Sequence, residues 1–224
     1  MRRAAVGAAL GLTLAIGAPV TWQLARTPAE AGTPVEQVLS ASTPSAPAEP
    51  PPSAPAVPEG LPPVVTRDAA PAPPAAAPVP VRLSLPSLGV DAPVDAVGVA
   101  EDGQMALPED VSRVGWYRFG PPPGEVGSAV VAGHVDDAEQ GLGALAALRE
   151  AEPGDEVLVT DSAGAVTRWR VVGRELITKQ ELPLAELFAR DGAPRLVLVT
   201  CGGPFLPEYR SYRDNVVVVA EPVP

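Results

Sequence analysis

One cysteine, one histidine and one arginine stand beside strand-like runs of this sequence, and together they could carry nucleophilic catalysis. Cys201, the only cysteine of the 224 residues, follows RLVLVT and precedes two glycines. His134, the only histidine, lies in VVAGHVDD, and Arg213 begins RDNVVVVA. Thiolate is the nucleophilic form of cysteine, and a nearby base or cation supplies it at neutral pH. Because strands of one sheet can bring their ends together, the three residues could share a site.

Each of these residues also has a structural interpretation. A lone cysteine is commonly an inert buried residue, and His134 could be a core or a surface histidine. Arg213 could merely pair with Asp214, and Arg210 is a rival arginine close by. An unpaired thiol in an exported chain is exposed to oxidants, which favours a function for Cys201. The coincidence of all three residues at strand ends favours one shared site.

Short β-rich runs separated by Gly, Pro and Asp begin at Val81, and they would have to position these residues. Such spacing is typical of a sandwich or barrel and not of βαβ repeats, so we expect a mostly β domain over residues 81–224. The candidate strands are 81–85, 92–99, 128–135, 155–161, 166–177, 195–200 and 215–221, and short helices are expected at 142–150 and 183–190.

The N-terminal part of the chain predicts export and a spacer. Residues 1–26 place Arg2 and Arg3 ahead of an apolar run long enough to cross a bilayer. An uncleaved anchor and a signal cleaved after AEA both fit, and we favour the anchor, with the arginines inside and the catalytic domain extracytoplasmic. Residues 27–80 are rich in Pro and Ala with few long apolar side chains, which predicts a disordered extracytoplasmic linker.

Composition excludes several other classes of protein. The net charge is −11, and Lys179 is the only lysine, so nucleic acid is not expected as a partner. A single cysteine excludes an internal disulfide and Cys-rich metal sites, and a single histidine excludes HExxH chemistry. The acidic residues show no calcium-loop spacing. We therefore expect no metal and no cofactor.

The motifs resemble those of the sortase family. LVLVTCGG is similar to the sortase strand that ends in Thr-Cys, and AGHVD is similar to the sortase histidine motif. YRDNVVVVA resembles the arginine-bearing last strand of the actinobacterial class F sortases. The resemblance covers residues 81–224. Val197 or Leu198 stands where the cysteine motif more commonly has threonine.

This resemblance implies an eight-stranded sortase β-barrel with short helices, preceded by a membrane segment. It implies a cysteine transpeptidase that cleaves an LPXTG-like sorting signal between Thr and Gly and anchors proteins to the cell wall. The partners would be LPXTG-bearing surface proteins, an amine acceptor such as a peptidoglycan precursor, and the cell membrane through the N-terminal segment.

The resemblance also implies roles for individual residues. Cys201 would form a thioester with the substrate, His134 would act as general acid and base, and Arg213 would stabilise the oxyanion. Thr200 would help to shape the substrate pocket. We expect Arg213→Ala to abolish turnover at near-normal stability, and Arg210→Ala to cause a mild loss.

Two alternative classes of protein stay open. An L,D-transpeptidase also uses Cys, His and Arg on wall peptides, but its SHGC signature places a histidine just before the cysteine, whereas His134 lies far upstream. A non-enzymatic surface binding module would hold Cys201 and His134 as core residues. Its thiol would not react with small electrophiles.

Overall fold

A computed structural model describes residues 30–40 and 78–223. The predicted membrane anchor, residues 1–26, lies outside the described residues, as does most of the predicted linker. No helix within the two described ranges is both long and apolar enough to cross a membrane.

Strands dominate the described chain. In chain order they are β1 (Ala31–Gly32), β2 (Pro80–Leu85), β3 (Val90–Val97), β4 (Val114–Tyr117), β5 (Ser128–Ala132), β6 (Asp136–Asp137), β7 (Gly141–Leu142), β8 (Glu156–Asp161), β9 (Val166–Thr178), β10 (Arg195–Leu206) and β11 (Ser211–Pro222). The α-helices are α1 (Val35–Ser40) and α2 (Leu184–Leu187), and single 3₁₀ turns cover Pro86–Leu88, Ala146–Glu150 and Lys179–Glu181.

Eight of these strands close into a barrel of mixed direction. Their order is β9-β11-β10-β5-β4-β3-β2-β8, and β8 pairs back with β9. The pairs β3–β4 and β5–β10 are parallel, and the other pairs of the ring are antiparallel. The short strand β1 extends the edge of β9, and β6 with β7 forms a separate hairpin. The mostly β barrel predicted from the sequence is confirmed.

Two apolar clusters pack on opposite faces of the central strands. Alternate residues of the ring strands, with Trp169 fully buried among them, fill the barrel interior. The other face of β5, β10 and β11 packs an outer cluster that includes Val130, Val197, Val217 and Val219. A strand buried on both faces reads as a continuous apolar run, which explains RLVLV and NVVVVA.

Residues 30–40 correct the predicted extent of the linker. β1 pairs with β9, opposing Ala31 to Arg174, and α1 buries Val35, Val38 and Leu39 in the outer cluster. We call residues 30–40 the N-terminal strap. Apolar residues at helical spacing in VEQVL form this face, and the average composition of the Pro/Ala-rich segment conceals them. The linker prediction for 27–80 is therefore wrong for this stretch.

Candidate active site

Cys201 lies within β10, which continues beyond the strand end predicted at Thr200. It pairs with Asn215 of β11, and the register shifts between Gly202 and Phe205. A Cβ on Gly202 would lie 2.8 Å from the Val216 side chain. The glycine after the cysteine therefore allows β10 and β11 to pack closely beside the thiol, which is half-buried.

The parallel pairing of β5 with β10 brings the chain segment that precedes His134 alongside the segment that precedes Cys201. Ala132 lies opposite Val199, and the Gly133 N–H donates to the Val199 carbonyl at 3.1 Å. The ladder ends at the Ala132–Val199 pair, two residues before His134 and two residues before Cys201. Because side chains alternate along β10, Cys201 lies on the face of Val197 and Val199, which belong to the outer cluster.

Thr200 lies on the opposite face of β10 from Cys201. Its side chain is buried, and its hydroxyl donates to the Gly133 carbonyl at 2.9 Å. The hydroxyl thus fastens β10 to the backbone that carries His134. Its predicted part in shaping the substrate pocket stays a prediction, and any such effect would have to pass through this backbone.

The imidazole of His134 is oriented by a backbone carbonyl. Its Nε2 atom lies 3.1 Å from the Pro108 oxygen. A carbonyl only accepts hydrogen bonds, so Nε2 carries the proton in the neutral ring and Nδ1 keeps the free lone pair. The following β6–β7 hairpin is tied to the same segment, because the Gln140 amide donates to the Glu109 carbonyl at 2.9 Å. The histidine is thus held with one nitrogen available.

Gly143 packs directly beneath the backbone of His134. A Cβ at Gly143 would lie 2.1 Å from the His134 oxygen, well inside contact distance. Its N–H donates to the Val135 carbonyl at 2.9 Å. Nothing in the sequence marks this glycine, because only the structure shows that the His134 backbone packs against it.

Arg213 lies two residues before Asn215, the residue that pairs with Cys201, next to the irregular stretch of β10 between Gly202 and Phe205. Its Nε donates to Asp214 Oδ1 at 2.8 Å and its Nη2 to Asp214 Oδ2 at 2.9 Å. These hydrogen bonds lower the pKa of Asp214 against the opposing effect of burial, and they raise the pKa of Arg213. Arg210 instead stands exposed in the turn between β10 and β11, with φ 48°.

The buried carboxylate revises one expectation about Arg213. Asp214 is 2% exposed, so Arg213→Ala would leave a buried charge without its main partner. Breaking such a pair is destabilising even where the pair itself contributes little. Near-normal stability is therefore no longer expected for Arg213→Ala, and Asp214→Asn should relieve the loss.

Tyr212 connects the β10–β11 hairpin, which carries Cys201, with the β6–β7 hairpin that follows His134. Its hydroxyl donates to Asp136 Oδ2 at 2.5 Å, and its ring meets Phe205 edge-on at 5.3 Å. The Asp136 hydrogen bond is the main cause that raises the pKa of Tyr212, and the Cys201 charge adds a smaller contribution. The phenol thus lies within electrostatic range of the thiol. Nothing in the spacing of Tyr212 along the sequence marks it as a residue of the site.

The three candidate residues thus supply a half-buried thiol, an imidazole with one nitrogen on the Pro108 carbonyl, and a guanidinium paired with Asp214. A depression of about 650 Å³, lined by residues that include Phe119, Val126 and Arg190, lies at the start of β5, at the far end of that strand from His134. It contains none of the three candidate residues. The arrangement at Cys201 is suited to nucleophilic acyl transfer.

Comparison with known proteins identifies the class of this barrel. Residues 83–223 match the family model of the sortase domain, and the chain belongs to this family. Members of the family are cysteine transpeptidases that act on sorting signals, and this chain is an enzyme of that kind. A comparison with curated proteins finds no match.

Solved sortase structures share the fold at low sequence identity. Sortase A from Corynebacterium diphtheriae, as a lid mutant, is 19% identical, with 66% of this chain and 71% of that chain covered and a TM-score of 0.50. Sortase C1 from Streptococcus suis is 17% identical, with 65% and 74% covered and a TM-score of 0.50. At these identities the likeness is evidence of the fold alone.

Proposed function

We propose that this sortase is of class F and cleaves an LPXTG-like sorting signal between Thr and Gly, using Cys201, His134 and Arg213. The observation that supports it is the parallel pairing of β5 with β10, which ends at Ala132 and Val199, two residues before His134 and two residues before Cys201. The sequence motifs TCGG and YRDN support the assignment to class F, because both resemble motifs of that class.

In the first half-reaction, Cys201 passes its thiol proton to the free Nδ1 of His134, and Sγ attacks the threonine carbonyl carbon of the signal. The carbon–sulfur bond forms as the carbonyl electrons move to oxygen, and the N–H groups of Arg213 stabilise that oxyanion. When the oxyanion collapses, the bond to glycine breaks and the leaving amine takes a proton from His134. Nδ1 is the nitrogen free for this transfer, because Nε2 faces the Pro108 carbonyl.

In the second half-reaction, an amine acceptor attacks the thioester carbonyl. His134 takes a proton from the attacking amine, the new amide bond forms, and the carbon–sulfur bond breaks as the departing sulfur takes that proton from His134 and becomes the thiol again. The acceptor would be the amine of a peptidoglycan precursor, and the donors would be LPXTG-bearing surface proteins. The product is a protein joined to the cell wall.

The strap also bears on the proposed position at the membrane. If residues 1–26 form the anchor, only a few residues separate its end from the docked strand β1 at Ala31. A chain of that length spans at most about 20 Å. The catalytic domain would then lie close to the extracytoplasmic surface of the cell membrane.

Mass spectrometry of the chain from residue 27 onward tests the proposal. The protein would be incubated with an LPXTG peptide, with and without triglycine, beside Cys201→Ala and a peptide of scrambled sequence. We expect an acyl adduct on Cys201 of the wild type only, which triglycine discharges into a new Thr–Gly product. Inertness towards both the peptide and iodoacetamide would favour the binding module, and activity on tetrapeptide stems alone would favour an L,D-transpeptidase.

A further inference from the structure

We propose that Asp214 is a positioning residue that fixes the guanidinium plane of Arg213 for oxyanion stabilisation; this inference rests on the proposed function. Both carboxylate oxygens of Asp214 are engaged by one arginine, at 2.8 Å from Nε and 2.9 Å from Nη2. Two parallel hydrogen bonds set the orientation of a planar guanidinium, which a single ion-pair contact would not do.

The difference in burial shows which partner is fixed. The side chain of Asp214 is 2% exposed, whereas that of Arg213 is 52% exposed. Asp214 lies between two neighbouring strands, opposite Gly202 of β10 and opposite Thr178, the last residue of β9, and Thr178 adds to the lowering of its pKa. The buried carboxylate is therefore the fixed point, and the exposed arginine is the group that it holds.

Gly203 provides the space that this carboxylate occupies. Its φ is +71°, and a Cβ built on it would lie 2.1 Å from Asp214 Oδ2. Any other residue would be strained and would displace the carboxylate. The second glycine after Cys201 is thus needed because the Asp214 carboxylate, which binds Arg213, occupies the space of a side chain there. A substitution at this position would therefore change the orientation of Arg213.

The pairing leaves part of the guanidinium for substrate. Arginine carries five N–H donors, and Asp214 accepts from only Nε and Nη2. Nη1 and the remaining Nη2 hydrogen keep a direction fixed by the pair. Preorganised donors of this kind stabilise a developing oxyanion because they need no reorientation during the reaction. Neither lysine nor an unheld arginine would present donors in the same way.

A double-mutant cycle distinguishes positioning from simple stabilisation of the fold. Single-turnover acylation of Cys201 by an LPXTG peptide would be measured for wild type, Asp214→Asn, Arg213→Ala and the double variant. We expect Asp214→Asn to slow acylation by about 10- to 100-fold, because a small misplacement of a catalytic group has costs of this order. In the Arg213→Ala background the same change should alter the rate less than about twofold. Equal effects in both backgrounds, or an unchanged rate in Asp214→Asn, would overturn the proposal.

Two further measurements keep the outcomes separable. Asp91→Asn is the matched control, because it breaks the Arg82–Asp91 pair on β2 and β3, away from the site, and should leave acylation unchanged. The exchange of the Arg213 Nε–H with water, followed by NMR, should be slow in the wild type and fast in Asp214→Asn. This measurement reports the Asp214–Arg213 hydrogen bonds, which we call the clamp, independently of enzymatic activity. A held Nε–H in a wild type that is not acylated would refute the proposed function, whereas full acylation with a freely exchanging Nε–H would refute only the clamp.

Discussion

The Thr200 hydroxyl joins the two strands that carry the nucleophile and the histidine, and Thr200→Val removes it with little change of shape. The regular β5–β10 ladder ends at Ala132 and Val199. Beyond it, two hydrogen bonds hold Gly133. Its N–H donates to the Val199 carbonyl, and its carbonyl accepts from the Thr200 hydroxyl at 2.9 Å. Valine would place a methyl group against that carbonyl oxygen.

The expected cost of Thr200→Val follows from burial. The residue is 3% exposed, so water cannot replace the lost donor. Leaving a buried acceptor without its partner costs about 1–3 kcal/mol. For a domain of this size, each kcal/mol lowers the melting temperature by about 2–4 °C, so we expect a fall of about 2–12 °C. Because Gly133 directly precedes His134, acylation of Cys201 should slow by about tenfold as well.

Thermal melts and acylation rates of two further variants complete the test. Thr200→Ser keeps the hydroxyl and should retain most of the stability and the rate. Thr167→Val removes a hydroxyl that contacts the Val159 carbonyl and the Trp169 indole away from the site. It should lower the melting temperature but leave acylation intact. A Thr200→Val protein that melts and reacts like wild type would refute the reasoning, as would equal loss of activity in Thr167→Val.

Three other predictions follow from the contacts around the site. Gly143→Ala puts a methyl group 2.1 Å from the His134 oxygen and should slow acylation at least tenfold, whereas Gly141→Ala, with open space around it, should cost only backbone strain. A chain that begins at residue 78 lacks the strap; it should melt lower and bind a hydrophobic dye at the uncovered outer cluster, and an unchanged melting temperature would exclude a stabilising strap. Arg213 lowers the pKa of Asp214 in the folded protein, so the pair stabilises the fold fully above the ordinary aspartate pKa of about 3.9. This stabilisation decreases as the pH falls through the lowered pKa of the folded state. In urea unfolding, the free energy of unfolding of the wild type should therefore exceed that of Asp214→Asn near neutral pH, and the difference should disappear in acid.

Most strands could be predicted from the sequence because apolar runs between turn residues mark them. β4 was missed, since Val114–Tyr117 is only four residues long and contains a glycine. Gly115 is needed there because a Cβ would lie 2.8 Å from the Val97 side chain of the neighbouring strand. The predicted helices shrink to one α-helical turn and one 3₁₀ turn, because tertiary packing and not helix propensity sets their length.

The sequence identified candidate site residues but not the contacts that orient them. Cys201, His134 and Arg213 were recognisable by residue type and by their places at strand ends. The parallel pairing of β5 with β10 joins segments far apart in the chain, and no local pattern encodes it. The sequence predicted Asp214 only as a possible ion-pair partner of Arg213, because the burial of Asp214 and the space left by Gly203 are visible only in three dimensions.

The apolar interior of the barrel and the alternation of side chains along its strands explain why the candidate site lies on the outside of the barrel. The interior is filled by apolar side chains, so a peptide could approach β10 only from its outer face. Alternation then gives neighbouring residues opposite tasks: Thr200 points inward and ties β10 to the histidine backbone, while Cys201 points outward. The same holds on β11, where buried Asp214 fixes exposed Arg213. In each pair the buried residue makes the hydrogen bonds that fix the local geometry, so a one-residue shift of β10 would bury the thiol, and a one-residue shift of β11 would bury Arg213 and expose Asp214.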